Sequence, residues 1–129
     1  MKKILIADDD PMMVKLLEFN LRRAGFDLIV CREGSTVLAR AQAELPDLII
    51  LDVMLPGRTG LELVGDLKAD PVLAGLPVLI VTSEGKSSTL DSLLAAGAAN
   101  VYTKPFSPTM LIDRVRQLLG ESPVSAKVN

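Results

Sequence analysis

Five short apolar runs divide the chain at fairly regular intervals. They are ILIA (4–7), LIVC (28–31), LIILD (48–52), VLIVT (78–82) and VYT (101–103). Several runs are continuous rather than alternating and are rich in Ile and Val, which is typical of strands covered on both faces by other elements. The pattern therefore predicts five strands, most of them buried.

The segments between these runs have the spacing of helices. The first, PMMVKLLEFNLRRAG, has Met13, Leu16, Leu17 and Leu21 at helical intervals and ends at Gly25. The other four are GSTVLARAQAEL, GLELVGDLKAD, SSTLDSLLAAG and SPTMLIDRVRQLLG. Strands that alternate with helices of this length indicate an α/β domain with a doubly wound parallel sheet.

Length and composition are consistent with one domain. The chain has 129 residues, of which 49% are hydrophobic and 23% charged, enough apolar material for one core. We place the domain at residues 1–120. We interpret the polar segment 121–129, ESPVSAKVN, as a disordered tail or a truncated linker.

Charge and cysteine content limit the partners and the location. A net charge of −2 gives no overall basic surface, so we expect no nucleic acid binding by this domain alone. The one cysteine, Cys31, lies in an apolar run, where a buried thiol is expected, and a chain with one cysteine fits a reducing compartment. Because no apolar run approaches the ~18 residues of a membrane span, we predict a cytoplasmic protein without membrane contact.

Polar side chains follow the predicted strands at their carboxyl ends, where ligands bind in sheets of this kind. The first strand is followed by Asp8, Asp9 and Asp10, the third ends in Asp52, the fourth leads to Thr82 and Ser83, and the fifth to Lys104. Asp10 precedes a proline and is explained as a helix N-cap. The other carboxylates need a different explanation.

Asp8, Asp9 and Asp52 would repel one another if they converged, unless a cation joined them. Oxygen ligands at a partly open site favour Mg²⁺, which commonly binds through carboxylates together with a phosphate. We therefore predict a Mg²⁺ site that serves phosphoryl chemistry. If one carboxylate became an acyl phosphate, Lys104 and the Thr82 hydroxyl would be the natural donors to its oxygens.

These features, taken in order, resemble the receiver domain of bacterial two-component response regulators. The matching pieces are ILIADDDP, PDLIILDVMLPGRTGLEL, LPVLIVTSEG, AAGAANVYTKPF and the final amphipathic helix, and together they run from about Lys2 to Leu119. The resemblance implies a flavodoxin-like (βα)5 fold with strand order 2-1-3-4-5. It also implies a regulatory phosphoacceptor that catalyses only its own phosphorylation and slow dephosphorylation, and is otherwise not an enzyme.

The resemblance assigns roles to individual residues of the site. Asp52 would accept a phosphoryl group from a phosphohistidine on a sensor histidine kinase or histidine phosphotransfer protein. Asp9 would bind Mg²⁺ directly, Asp8 would act mainly through a metal-bound water, and the backbone carbonyl of Met54 would complete the protein ligands. Because the chain has no histidine, the phosphodonor must lie on another polypeptide.

Other positions carry the expected switch. Lys104 would hold the Asp52 carboxylate at rest and the phosphoryl oxygens afterwards, and a cis bond to Pro105 is implied. Thr82 would move toward the phosphoryl group and bias a surface formed by the fourth helix, fifth strand and fifth helix. In a homodimer through that surface, Asp113, Arg114 and Arg116 could pair across the interface. A solvated helix face explains these residues equally well.

The sequence departs from the family pattern at the second switch position. Three residues before the lysine, where the family usually has Tyr or Phe, this chain has Val101. Tyr102 is one position off and should point to the opposite face of the strand, as a core residue. In the family, the positions of Met54 and Glu84 tune how fast water reaches the acyl phosphate.

Three other kinds of protein would share parts of this pattern. A Mg²⁺-dependent phosphohydrolase with Asp52 as nucleophile would commonly carry an acidic residue two positions later, where this chain has Met54. A flavodoxin-like FMN protein would need a hydroxyl-rich phosphate loop after the first strand, where aspartates would repel the phosphate. A degenerate receiver would act by binding without phosphorylation, although the residues of the reaction are all present.

Overall fold

The computed structural model describes residues 2–83 and 85–120, which form one sheet with helices on both faces. The strands are β1 (Lys3–Ala7), β2 (Asp27–Cys31), β3 (Leu48–Leu51), β4 (Val78–Thr82) and β5 (Asn100–Thr103). The helices are α1 (Pro11–Arg23), α2 (Gly34–Glu44), α3 (Gly60–Ala69), α4 (Ser87–Ala96) and α5 (Pro108–Leu118). All strand pairs are parallel, and the order β2-β1-β3-β4-β5 confirms the predicted topology.

The register of the sheet brings two distant parts of the chain to the same edge. Ala7, the last residue of β1, lies opposite Cys31 on one side and Leu51 on the other. The backbone pairing continues one residue further, because the Asp8 amide donates to the Cys31 carbonyl at 3.1 Å and the Asp52 amide donates to the Ala7 carbonyl at 2.8 Å. Asp8 and Asp52 therefore follow neighbouring strands directly.

The helices form two apolar layers. One layer holds buried side chains of α2, α3 and α4, and the other holds those of α1 and α5. Cys31 lies in the first layer and is buried, as predicted, and burial raises the pKa of its thiol. On α1 the buried residues are Val14, Leu17 and Leu21, whereas Leu16, which shares their spacing, is 39% exposed.

Local signals in the sequence explain where two of the helices begin. The Asp10 carboxylate accepts a hydrogen bond from the Met12 amide at 3.0 Å and Pro11 opens α1, which confirms the predicted N-cap. At α3, Thr59 and Glu62 form a capping box in which each side chain accepts from the other residue's backbone amide. The capping box was not predicted, although the Thr-x-x-Glu spacing is its sequence signature.

Within residues 2–83 and 85–120, no helix is long and apolar enough to cross a membrane. The segment 121–129 lies outside the described residues, as does Glu84. The domain limit at residue 120 and the disordered tail therefore stay predictions.

Gly60, the first residue of α3, is packed too closely to tolerate a side chain. A Cβ atom at this position would lie 2.5 Å from the Cα atom of Val53, closer than real Cβ contacts. We expect Gly60→Ala to lower the free energy of unfolding by about 1–3 kcal/mol, because the backbone would have to shift. Urea denaturation at equilibrium measures this change.

Gly65, in the middle of the same helix, provides a matched control. A Cβ atom there would meet nothing within 4 Å, so Gly65→Ala should raise the free energy of unfolding by about 0.5–1 kcal/mol through helix propensity alone. Equal effects of the two substitutions would contradict the close packing at Gly60.

Candidate functional site

Three carboxylates converge at the carboxyl edge of the sheet. One carboxylate oxygen from each of Asp8, Asp9 and Asp52 can be chosen so that all three lie within 4.8 Å of one another. Asp8 is 2% exposed and Asp52 is 6% exposed, whereas Asp9 is exposed. Two buried anions beside an exposed one form an oxygen donor set that fits a hard divalent cation such as Mg²⁺.

Backbone amides orient the two buried carboxylates. The Asp10 amide donates to Oδ1 of Asp8 at 2.9 Å, and the Met54 amide donates to Oδ1 of Asp52 at 3.0 Å. In each case the donor lies two residues after the acceptor, so the chain turns back over its own aspartate. This arrangement leaves Oδ2 of each carboxylate directed to other partners.

Lys104 joins the two buried carboxylates. Its Nζ atom lies 3.2 Å from Oδ2 of Asp8 and 3.2 Å from Oδ2 of Asp52. The Lys104 amide also donates to the Thr82 carbonyl at 2.7 Å, and the Lys104–Pro105 peptide bond is cis, as the resemblance implied. The contact between Lys104 and Asp8 was not predicted from the sequence.

Burial and charge act in opposite directions on these groups. Burial raises the pKa of the Asp8 carboxyl above its ordinary value, although the Asp10 amide and Lys104 both act to lower it, and the charge of Asp52 adds to the rise. Burial alone would lower the pKa of Lys104, but attraction to Asp8 and Asp52 outweighs burial and raises it. The site is therefore rich in negative charge and holds Lys104 as a cation.

Thr82 and Met54 also lie at this edge. Thr82 is the last residue of β4, is fully buried, and lies between the ends of β3 and β5. Met54 follows Asp52 by two residues and its side chain is 60% exposed. The roles given to Thr82 as a switch and to the Met54 carbonyl as a metal ligand stay predictions.

Val101 and its neighbour Tyr102 face opposite sides of the sheet. Val101 packs against the layer of α2, α3 and α4, and Tyr102 packs against the layer of α1 and α5. The Tyr102 ring lies 6.5 Å from the ring of Phe106, and burial raises the pKa of its phenol. Tyr102 is thus a half-buried packing residue on the face opposite Val101, as expected from strand alternation.

Charged residues of α5 make contacts within the chain. Arg114 donates through Nε to the Asn100 side chain at 2.6 Å, and Arg116 donates to the Ala24 carbonyl at 3.0 Å. The Arg116 guanidinium also lies over the Phe26 ring, at 5.6 Å from its centre. Both arginines are therefore engaged without a second copy, and the homodimer stays a prediction.

A polar network at the start of α3 was not predicted from the sequence. Arg58, between Asp52 and α3, makes two hydrogen bonds to Asp66 and one to Glu62. Arg58 and Glu62 are four residues apart, the spacing at which opposite charges pair on a helix, although Arg58 lies just before α3. The contact with Asp66, eight residues after Arg58, depends on how the loop enters α3.

Comparison with known proteins identifies the family. Residues 4–116 match the family model of the response regulator receiver domain. The chain is 39% identical over 125 residues to the alkaline phosphatase synthesis transcriptional regulatory protein PhoP of Bacillus subtilis, covering 97% of this chain and 51% of that protein. The chain thus spans about half the length of this relative.

Solved structures agree with the family assignment. The chemotaxis response regulator CheY4 of Vibrio cholerae matches with a TM-score of 0.84 and 30% identity over 92% of this chain and 98% of its own. The BeF3-activated N-terminal receiver domain of Klebsiella pneumoniae RstA matches with a TM-score of 0.83 and 30% identity, again over 92% of this chain and 98% of its own. The chain belongs to the response regulator receiver domains, the phosphorelay signalling domains of two-component systems.

Proposed function

We propose that Asp52 is the phosphoacceptor of this receiver domain and that the reaction depends on Mg²⁺. The observation that carries the proposal is the position of the Asp52 carboxylate, which is buried, grouped with Asp8 and Asp9, and in contact with Lys104. The donor would be the phosphohistidine of a sensor histidine kinase or a histidine phosphotransfer protein, as the family assignment suggests.

The geometry supports a carboxylate that is held ready for attack. Oδ1 of Asp52 accepts the Met54 amide and Oδ2 contacts Lys104, so both oxygens have fixed directions. In the reaction an Asp52 oxygen forms a bond to phosphorus while the bond from phosphorus to the imidazole nitrogen breaks, and its electron pair returns to the imidazole. A fixed acceptor limits the loss of entropy on reaching this arrangement.

The donor set supports different roles for the two neighbouring aspartates. Asp9 is exposed and would bind the cation directly. Asp8 is buried, with Oδ1 engaged by the Asp10 amide and Oδ2 by Lys104, so a contact through water fits it better. Bound Mg²⁺ would neutralise charge on the acceptor and on the phosphoryl oxygens during transfer.

The charges of the site are consistent with this function. Asp8, Asp9 and Asp52 carry three negative charges against one positive charge on Lys104, so one divalent cation brings the sum to zero. An acyl phosphate on Asp52 would add roughly one negative charge and new acceptor oxygens. Lys104 and Thr82, at the ends of the neighbouring strands, would donate to those oxygens and couple the site to the surface of α4, β5 and α5.

The structure also disfavours one alternative. The side chain two residues after Asp52 is Met54, which is exposed and cannot serve as the general acid of a phosphohydrolase. PhoP is by name a transcriptional regulatory protein, which supports a regulatory function for the present domain. Control of transcription by a longer protein that contains it is a proposal on the same ground.

Phosphorylation of Asp52 is tested by intact mass after incubation with Mg²⁺ and acetyl phosphate. We expect a gain of about 80 Da, one phosphoryl group, that requires Mg²⁺ and is absent in Asp52→Asn. Asp66→Asn, which removes a carboxylate outside the cluster, should keep the gain. If the wild type gained no mass and also failed to bind beryllofluoride, the phosphoacceptor function would be wrong and a phosphorylation-independent binding domain would remain.

Metal binding is tested by thermal denaturation with and without Mg²⁺. At a Mg²⁺ concentration ten times its Kd, the native state should gain about 1.4 kcal/mol of stability. Asp9→Asn should reduce this gain strongly, because it removes the exposed carboxylate of the cluster. Asp10→Asn is the control, since asparagine also caps a helix, and it should keep most of the gain. Equal losses in both variants would argue against a site at Asp9.

The role of Lys104 is tested without metal, in EDTA at neutral pH. Lys104→Met leaves Asp8 and Asp52 buried without their cation, and we expect the free energy of unfolding to fall by about 1–3 kcal/mol. Lys3→Met breaks the half-exposed pair with Glu44 and should cost at most about 1 kcal/mol. Adding Asp8→Asn to Lys104→Met should restore part of the loss. A double variant less stable than Lys104→Met would contradict the electrostatic explanation.

A further inference from the structure

The loop between β3 and α3, residues 52–59, begins at the acceptor aspartate and ends at the start of a helix. Close to Asp52 it is held by local hydrogen bonds, from the Met54 amide to Asp52 and from the Gly60 amide to the Val53 carbonyl at 3.1 Å. These bonds set the shape of the turn. Neither bond involves residues 55–58.

Arg58 connects the far end of the loop to α3 through its side chain. Its Nε and Nη2 atoms donate to Oδ2 and Oδ1 of Asp66 at 2.6 and 2.9 Å, and its Nη1 donates to Glu62 at 3.3 Å. Glu62 in turn accepts from the amide and hydroxyl of Thr59 at 3.1 and 3.0 Å. A two-point guanidinium–carboxylate pair fixes orientation better than a single contact does.

The backbone on the other side of the loop is held against α2. The Gly34 amide donates to the Pro56 carbonyl at 2.8 Å. A Cβ atom on Gly34 would lie 2.6 Å from the Arg58 carbonyl oxygen, so the two backbones are in direct contact. The loop is therefore enclosed between the first residue of α2 and the first two turns of α3.

We propose that Arg58 is a positioning residue for the metal and phosphoacceptor site, because its fork to Asp66 and Glu62 fixes the loop that carries Asp52 and Met54. The side-chain partners of Arg58 in the described residues are Asp66 and Glu62 rather than Asp52 or Met54. It acts by limiting the positions that the loop backbone can adopt. This inference rests on the proposed function, since it concerns the geometry of the same site.

The direction in which Mg²⁺ affinity changes when Arg58 is removed distinguishes positioning from simple electrostatics. Arg58 is a cation on the loop that begins at Asp52, so removal of its charge alone would strengthen Mg²⁺ binding or leave it unchanged. Loss of the fork would loosen the loop and weaken Mg²⁺ binding. The two explanations therefore predict different results for the same substitution.

Mg²⁺ affinity by calorimetry is the first measurement, on wild type, Arg58→Met and Arg58→Lys. We expect the Kd of Arg58→Met to rise by about ten-fold, as for other residues that orient metal ligands. Arg58→Lys keeps the charge but not the two-point fork, so its Kd should also rise. Arg22→Met, which breaks the exposed pair with Glu18 on α1, should keep the wild-type Kd. An unchanged or lower Kd in Arg58→Met would overturn the proposal.

Amide hydrogen exchange in EDTA gives a readout that needs no metal. Exchange of the Met54 and Gly60 amides should be several-fold faster in Arg58→Met, whereas exchange of the Ile50 amide in β3 should stay as in wild type. Equal acceleration at all three amides would indicate a loss of global stability, and unchanged exchange at Met54 and Gly60 would show that the fork does not hold the loop. Either result would overturn the proposal.

Mg²⁺ binding and phosphorylation of the wild type distinguish a failure of the role of Arg58 from a failure of the proposed function on which that role rests. If wild type bound no Mg²⁺ and gained no phosphoryl group, the proposed function would fail, and with it the role of Arg58 at the site. If wild type did both and Arg58→Met matched it in Kd and in loop exchange, only the role of Arg58 would be wrong.

Discussion

The site depends on two buried carboxylates that share one ammonium group. Asp8 and Asp52 are brought together because β1 and β3 are neighbours in the sheet, and Lys104 reaches them from beyond β4, whose last residue is Thr82. A different strand order would separate these groups. Buried like charges cost free energy unless a cation compensates them, so the sheet order and the position of Lys104 together make the acidic edge compatible with a stable fold.

Compensation by Lys104 is incomplete, and the remaining negative charge makes the edge suited to a divalent cation. With Asp9 included, the cluster carries more negative than positive charge, and burial raises the pKa of Asp8 despite the nearby lysine. The free-energy cost of this uncompensated charge is offset by packing, since β1, β3 and β4 are almost wholly buried and apolar. A site with uncompensated negative charge on a well-packed sheet is suited to bind a cation. Such a conflict between burial and charge is expected at functional positions.

The strands and helices could be predicted from the sequence because they depend on features that are local in the chain, whereas the strand order came from the family resemblance. Continuous apolar runs, helical spacing and the Asp10-Pro11 cap predicted each element to within two residues. The convergence of Asp8, Asp9 and Asp52 followed from the rule that strand ends share an edge. The contact of Lys104 with Asp8, the fork of Arg58 to Asp66 and the approach of Gly34 to Arg58 could not be predicted, because they depend on side-chain reach and on helix placement rather than on periodicity.

Val101 would limit how a change at the proposed acceptor, Asp52, can travel. β5 presents Val101, rather than an aromatic ring, to the face covered by α2, α3 and α4, and Tyr102 is held on the other face near Phe106. If Thr82 moves on phosphorylation, as proposed, a small branched side chain cannot follow it by a large rotation, because its preferred rotamers are few. The hydrogen bond from the Lys104 amide to the Thr82 carbonyl instead links the ends of β4 and β5 directly. We therefore expect backbone movement of these two strand ends, rather than an aromatic rotamer, to carry the change toward α4 and α5.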